Sequence, residues 1–247
     1  MRVPVVRGVI ERRLLVNYRV DPAALRPVLP TPFRPQLVGG AAIAGICLIR
    51  LSGIRPPYVP AGLGVSSENA AHRIAVQWDE GGTTREGVYI PRRDSSSRLN
   101  RLLGGRLFPG VHHAARFDVR ERGGEFRVRM DSADGVTHVL VEGTLAPALP
   151  AGSAFDSLAA ASAFFERGAL GYSATARAGV FDGLELRSLA WKVEPLAVTA
   201  VESSFFEDRR HFAPGSAEFD CALVMRNIAH EWHARDQLCL ESAEPAA

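Results

Sequence analysis

Glu68-Asn69-Ala70-Ala71-His72-Arg73 places a carboxylate and an imidazole four residues apart. That spacing puts both side chains on one side of a strand and also on one side of a helix, so they converge in either case. A carboxylate beside an imidazole orients its tautomer and raises its basicity, which suits proton transfer. The same pair can equally be a hydrogen-bonded structural contact at the start of a strand. Glu68 and His72 are the candidate acid/base residues.

Further along, Gly87-Val88-Tyr89-Ile90-Pro91-Arg92-Arg93-Asp94 ends a hydrophobic run in two arginines and an aspartate. A guanidinium fork matches a planar carboxylate or phosphate, so Arg92, with Tyr89 beside it, is a candidate ligand contact. An internal Arg–Asp salt bridge is the structural alternative. Gly104-Gly105-Arg106-Leu107-Phe108-Pro109-Gly110-Val111-His112-His113 surrounds an arginine with glycines and a proline, which allow close backbone approach to a ligand. Arg106 and His113 are the candidates there, as anion clamp and polar wall. Adjacent strand residues face opposite ways, so His112 and His113 cannot readily share a metal. His230-Glu231-Trp232-His233 has histidines three apart, but no HExxH and no third ligand, and reads as a packing or surface element. No metal site and no cofactor are expected. Walker, GxGxxG, GxSxG and zinc-ribbon patterns are all missing.

The elements that must position these residues are mostly of period two. Val9 to Val20 reads as a strand, with Leu15, Asn17 and Arg19 on one face and Leu14, Val16, Tyr18 and Val20 on the other. Asp21-Pro22 then caps and opens a helix with a Leu25, Val28, Leu29 stripe, ended by Pro30. Ala41 to Leu51, Ala70 to Trp78 and Gly87 to Ile90 are predicted strands, the last stopped by Pro91. A short helix is predicted over Ser95 to Leu103. Gly123-Gly124 is a two-residue hairpin signal between Phe117–Glu121 and Phe126–Met130. Val136 to Leu145, a helix over Phe155 to Arg167, and strands at Leu184 to Val201 and Glu218 to Met225 complete the reading.

The chain has 247 residues, a formal net charge of +2, 47% hydrophobic and 23% charged residues. These are globular values and exclude long disorder, collagen and coiled coil. The longest weakly polar run, Leu37 to Ile49, is much shorter than the roughly 20 residues a bilayer needs, so no membrane partner is expected. Arg2, Arg7, Arg12 and Arg13 interrupt the N-terminal apolar stretch, so no signal-peptide core is expected. A near-neutral balance with dispersed arginines makes no case for nucleic acid. Three cysteines without CxxC fit a reducing, cytoplasmic setting. The expected class is mainly β (α+β): one antiparallel cone or barrel over residues 1–241 with a few peripheral helices, and a frayed tail over 242–247. Homo-oligomerisation stays open.

Two groups of segments carry a family resemblance. Arg13-Leu14-Leu15-Val16-Asn17-Tyr18-Arg19-Val20-Asp21, followed by Ala24-Leu25-Arg26-Pro27-Val28-Leu29-Pro30, resembles the opening of acetoacetate decarboxylase and its relatives. The Glu68–Arg73, Gly87–Asp94, Gly104–Gly110 and Met225–His233 segments look closer still to a large bacterial domain family of unknown function in the same superfamily. The likeness to that family runs from about Val9 to about Asp236, whereas the likeness to the decarboxylase itself is good only to about His113. It implies a closed antiparallel β-cone around a pocket for small organic acids, with Glu68 in the place of an active-site glutamate. Arg106 matches the arginine of the decarboxylases' glycine–arginine–glutamate stretch, but Leu107 replaces that glutamate. The catalytic lysine pair that should follow near His113 is missing.

Lys192 is the sole lysine of the chain, and arginine stays protonated and forms no stable imine. On a strand, Lys192 shares its face with Glu194 while Trp191 and Val193 point the other way, so Lys192 is expected to face solvent as partner of Glu194. The leading expectation is therefore a lyase, dehydratase or isomerase acting by proton transfer on a small organic acid or carbonyl compound, without a Schiff base. The alternative is a non-catalytic small-molecule-binding protein with the same cone, and a weaker third reading is an interaction protein with a filled one.

Overall fold

In the computed structural model, which describes residues 5–97 and 110–239, strands dominate because long stretches are apolar on both faces. The chain runs β1 (Val5–Val20), α1 (Pro22–Leu25), β2 (Arg34–Pro35), β3 (Leu37–Val38), β4 (Ala41–Arg55), β5 (Val65–Glu80) and β6 (Thr83–Ser95). Then follow β7 (His112–Arg122), β8 (Glu125–Ser132), β9 (His138–Leu145), α2 (Leu158–Arg167), β10 (Leu170–Ala174), β11 (Val180–Ser188), β12 (Glu194–Ser203) and β13 (Ala217–Cys239). All strands join one 13-stranded sheet. Every pairing is antiparallel except β6 with β7 and β6 with β10.

The sheet closes on itself twice. One circuit runs β6-β7-β8-β9-β12-β13-β1-β4-β5 and back to β6. A second runs β6-β10-β11-β13 and returns through the same β1, β4 and β5. The five shared strands form a wall with a core on either side. Leu14, Val16 and Tyr18 of β1 face the first core, with Leu48, Ile74, Trp78, Val128 and Met130. Leu15 of β1 faces the second, with Ile43, Cys47, Phe165, Leu223 and Met225. Each fully buried aliphatic side chain contributes roughly 1.5–3 kcal/mol, so burial on both faces accounts for the long apolar runs in the shared strands.

The wrapped, cone-like and mainly β architecture agrees with the expected class, and several boundaries differ from the sequence reading. The first helix is only Pro22–Leu25: Asp21 Oδ1 accepts from the Ala23 amide at 2.8 Å, but Pro27 has no N–H with which to extend the turn. Strand β6 does not stop at Pro91, because a bulge absorbs it. Leu184 to Val201 is two strands, β11 and β12, separated by a turn that carries Trp191. Strand β10 was not anticipated. Strand β13 continues through His230–His233, so these histidines stand on opposite faces of a strand. The helix expected over Ser95–Leu103 begins at the last residue of β6, is not helical at Ser96 and Ser97, and lies outside the described residues from 98 on, as does the expected frayed tail. No helix among the described residues is long and apolar enough to cross a membrane.

Candidate functional site

Within the second circuit lies a cavity of about 350 Å³. The shared wall supplies Arg13 from β1, Cys47 and Ile49 from β4, Asn69 and Arg73 from β5, Arg93 from β6 and Trp232 from β13. His112 of β7, Phe165 of α2, Leu186 of β11 and Trp191 close the other sides. Helix α2 is held across it by a Ser157 cap on the Ala160 amide and by Trp191 Nε1 donating to Ser162 Oγ at 2.9 Å. The exposed residues Glu166 and Arg187 also line the cavity and so mark its route to the surface.

Three guanidinium groups define the chemistry. Arg13 Nε donates to Cys47 Sγ at 3.3 Å, and its guanidinium carbon lies 5.9 Å from the Trp191 ring centroid. Arg73 is 7% exposed, donates to Asn17 Oδ1 at 2.6 Å, and sits 4.8 Å over the Phe165 ring. Arg93 Nε donates to Ser173 Oγ at 2.9 Å. Their partners are a thiol, the Met225 thioether, an amide, a hydroxyl and aromatic faces; among the described residues no carboxylate neutralises any of the three. Burial lowers Arg73 and Arg93 to about 10, which leaves both charged at neutral pH. Three cations thus line one cavity; its carboxylates are Asp94, which is paired with Arg92, and the exposed Glu166 at the surface, so an anion is the complementary ligand charge.

A register detail puts Arg93 there. Between the pairs His72↔Arg92 and Ile74↔Tyr89, β6 has one residue more than β5. This bulge at Ile90-Pro91 shifts the alternation, so that Val88, Ile90 and then Arg93 reach the cavity. Without it, Arg92 would follow Ile90 inward.

The residues singled out from sequence fall elsewhere. Glu68 lies at the first core's end of β5, where Arg50 Nε donates to its Oε1 at 2.6 Å and Arg12 to its Oε2 at 2.5 Å. Arg12, 1% exposed, also bonds Glu121 at 2.6 Å. His72 is fully buried in the first core against Phe205, with ring centroids 4.8 Å apart, and neither ring nitrogen has a hydrogen-bond partner. Burial, with the Arg92 charge nearby, lowers His72 to about 3, so it is neutral. Glu68 and His72 share a face as their spacing requires, but that face is not the cavity's. Arg92 is engaged by Asp94 at 2.9 Å and Asp134 at 2.8 Å, the internal salt bridge weighed as the alternative. His113 Nδ1 is 3.3 Å from the same Asp134, and it is His112 that lines the cavity. Tyr89 is packed in the aromatic core with Phe33 and Phe181, ring centroids 5.4 and 5.9 Å away. Arg106 lies outside the described residues. Lys192 is exposed, while Glu194 is paired with Arg226 at 2.7 Å and not with the lysine.

The cavity residues were within the same motifs: Asn69 and Arg73 are also four apart, and Arg93 and His112 each neighbour a chosen residue. The usable signal was the absence of a carboxylate alternating with Arg73, whose neighbours two residues away are Ala71 and Ala75. Among the described residues no cluster of His, Cys, Asp and Glu could hold a metal ion.

Comparison with solved structures defines the class of fold. Acetoacetate decarboxylase from Legionella pneumophila superimposes with a TM-score of 0.63 at 9% identity, covering 94% of this chain and 87% of that one. An acetoacetate decarboxylase-like enzyme from Sphingomonas wittichii gives 0.60 at 13% identity over 98% and 94%. The enduracididine biosynthesis enzyme MppR, complexed with pyruvate, gives 0.59 at 12% identity over 98% and 91%. At these identities the likeness is one of fold: this is an acetoacetate-decarboxylase-like cone. By sequence the chain belongs to the DUF2071 family, described as an uncharacterized conserved protein, which it matches over residues 9–219. Comparison with curated protein sequences gives no match.

Proposed function

We propose that the second-circuit cavity binds a small organic acid or carbonyl compound as its anion, and that the protein acts on it by proton transfer without a Schiff base. The carrying observation is the trio of buried Arg73 and half-buried Arg13 and Arg93 around one cavity, with no carboxylate partner among the described residues. A carboxylate would accept from the guanidinium forks, and the same charges would stabilise an enolate-like oxygen as a proton leaves the adjacent carbon. His112 is the acid/base residue of this reading, because an imidazole can exchange protons near neutral pH. Apolar walls from Ile49, Phe165, Leu186 and Trp232 fit a ligand with a hydrocarbon portion. The sole lysine is exposed, which supports chemistry without an imine. That MppR is known complexed with pyruvate, and that other proteins of this fold are decarboxylases, supports a small acid as ligand. The cytoplasm is the proposed setting, from three free cysteines.

The test is proton NMR of pyruvate and of small 3-oxo acids with the protein in deuterium oxide. Exchange of hydrogens next to the carbonyl, lost in His112→Gln and Arg93→Gln, is the expected result. Borohydride treatment with the same acids should leave the intact mass unchanged. No carboxylate binding by calorimetry would overturn the anion site, and a reduced adduct on Lys192 would overturn the imine-free reading. A second reading, a non-catalytic binding protein, is favoured by one observation: Glu68, the carboxylate matched to an active-site glutamate, is held by two arginines away from the cavity. Binding without exchange would establish that reading.

A further inference from the structure

The three cysteines occupy three different environments. Cys239 is exposed. Cys221 is sealed in the wall, and burial with Asp220 alongside pushes its thiol up to about 12. Cys47 is buried at 7% exposure but lines the cavity, with its sulfur 3.3 Å from Arg13 Nε. Arg13 Nε donates to that sulfur and finds no oxygen acceptor there. Arg73 and Arg93 line the same cavity as Cys47 and Arg13. Arg73, more than nine-tenths buried, lines the same cavity, and its Nε has no partner. Cys47 is therefore a soft nucleophile inside a site built to draw in anions.

We propose that Cys47 is a covalent site of this cavity, selective for small carboxylates that carry an electrophilic carbon, such as α,β-unsaturated acids. The inference rests on the anion site proposed above and names a substrate class for it. In the addition the sulfur forms a bond to the β-carbon, and the C=C π pair moves toward the carboxylate, where the arginines stabilise it. The α-carbon then takes up a proton in place of the one lost by the thiol. The net change is S–H added across C=C, with no oxidant or further reactant. The thiolate is the attacking species, and a cationic, partly closed surrounding is where reactive cysteines occur.

Two reagent pairs of nearly equal size, one member anionic and the other neutral, test this on the unmodified protein: iodoacetate against iodoacetamide, and acrylate against acrylamide. Alkylation is followed by intact mass and peptide mapping, with Cys239 as the internal control. The anionic-to-neutral rate ratio at Cys47 should exceed that at Cys239 by about tenfold or more, and rising potassium chloride should shrink it. Propionate, which cannot react, should protect Cys47 and leave Cys239 unaffected. Equal ratios at the two cysteines would overturn the proposal, as would a Cys47 inert to both anionic reagents. If calorimetry still shows propionate binding in that case, the anion site stands and the covalent role alone falls. If propionate does not bind, both fall together.

Discussion

Glu68 and Arg93 are both charged residues on the shared wall, yet they are expected to respond to substitution in opposite ways. Glu68 bridges Arg50 and the buried Arg12. In Glu68→Gln, Arg12 keeps only Glu121 as its anion, a loss of about 1–3 kcal/mol in stability. Carboxylate affinity should stay within about twofold, because the cavity is on the other side of the wall. Arg93 has no anionic partner among the described residues, so Arg93→Gln should be nearly neutral for stability while weakening carboxylate binding by about tenfold or more. Urea melts and calorimetry on the two variants separate these outcomes. A stable Glu68→Gln that no longer binds carboxylates would move the site to the first core.

Among the elements, β4 is the strand most exposed to error, because it must approach β1 closely enough for the Asn17–Arg73 contact. Gly45 pairs with Asn17 on one side and Arg73 on the other. A Cβ on Gly45 would stand 2.3 Å from the Val16 carbonyl oxygen and 3.3 Å from Asn17 Oδ1, the atom that receives the Arg73 hydrogen bond. Backbone cannot yield as a side chain tip can. Gly45→Ala should therefore cost about 2 kcal/mol or more and also lower carboxylate affinity, since Arg73 loses its tether. Thermal melts and calorimetry would show this as a joint loss; a Gly45→Ala protein with unchanged affinity would mean that Arg73 does not contact the ligand.

For the whole molecule, the two circuits share five strands, so neither core can open without exposing the other. A single calorimetric transition is expected, with calorimetric and van't Hoff enthalpies in agreement. Two resolved transitions would show that the cores are separable. Acid should weaken the whole. His72 and His230 are buried and neutral, lowered by burial to about 3 and about 4 from an ordinary value of about 6.5. The unfolded chain takes up these protons first. Stability from these two groups is therefore complete above pH ~6.5 and declines below it, by about 1.4 kcal/mol per pH unit for each, until the folded values are reached. His72→Phe, which keeps the stack on Phe205, should make the decline shallower in denaturation midpoints measured from pH 7 to pH 4. An acid limb of unchanged steepness would sink this account.

Much of this architecture was legible in the chain itself. Period-two alternation marks β1, β4, β5 and β8, Gly123-Gly124 marks the β7–β8 hairpin, and the missing lysines remove imine chemistry at the expected place. The assignment of Leu14, Val16 and Tyr18 to one face and Leu15 and Asn17 to the other was also readable. Which face backs onto the cavity was not. Alternation tells inside from outside only where one face meets water, and the shared wall is buried on both. Glu68/His72 and Asn69/Arg73 are thus equivalent patterns until closure of the second circuit puts a cavity behind one of them. The choice between Arg92 and Arg93 turned on a single extra residue at Ile90-Pro91, which reverses every side chain beyond it. Such a bulge is set by the neighbouring strands, and only the tertiary structure contains them.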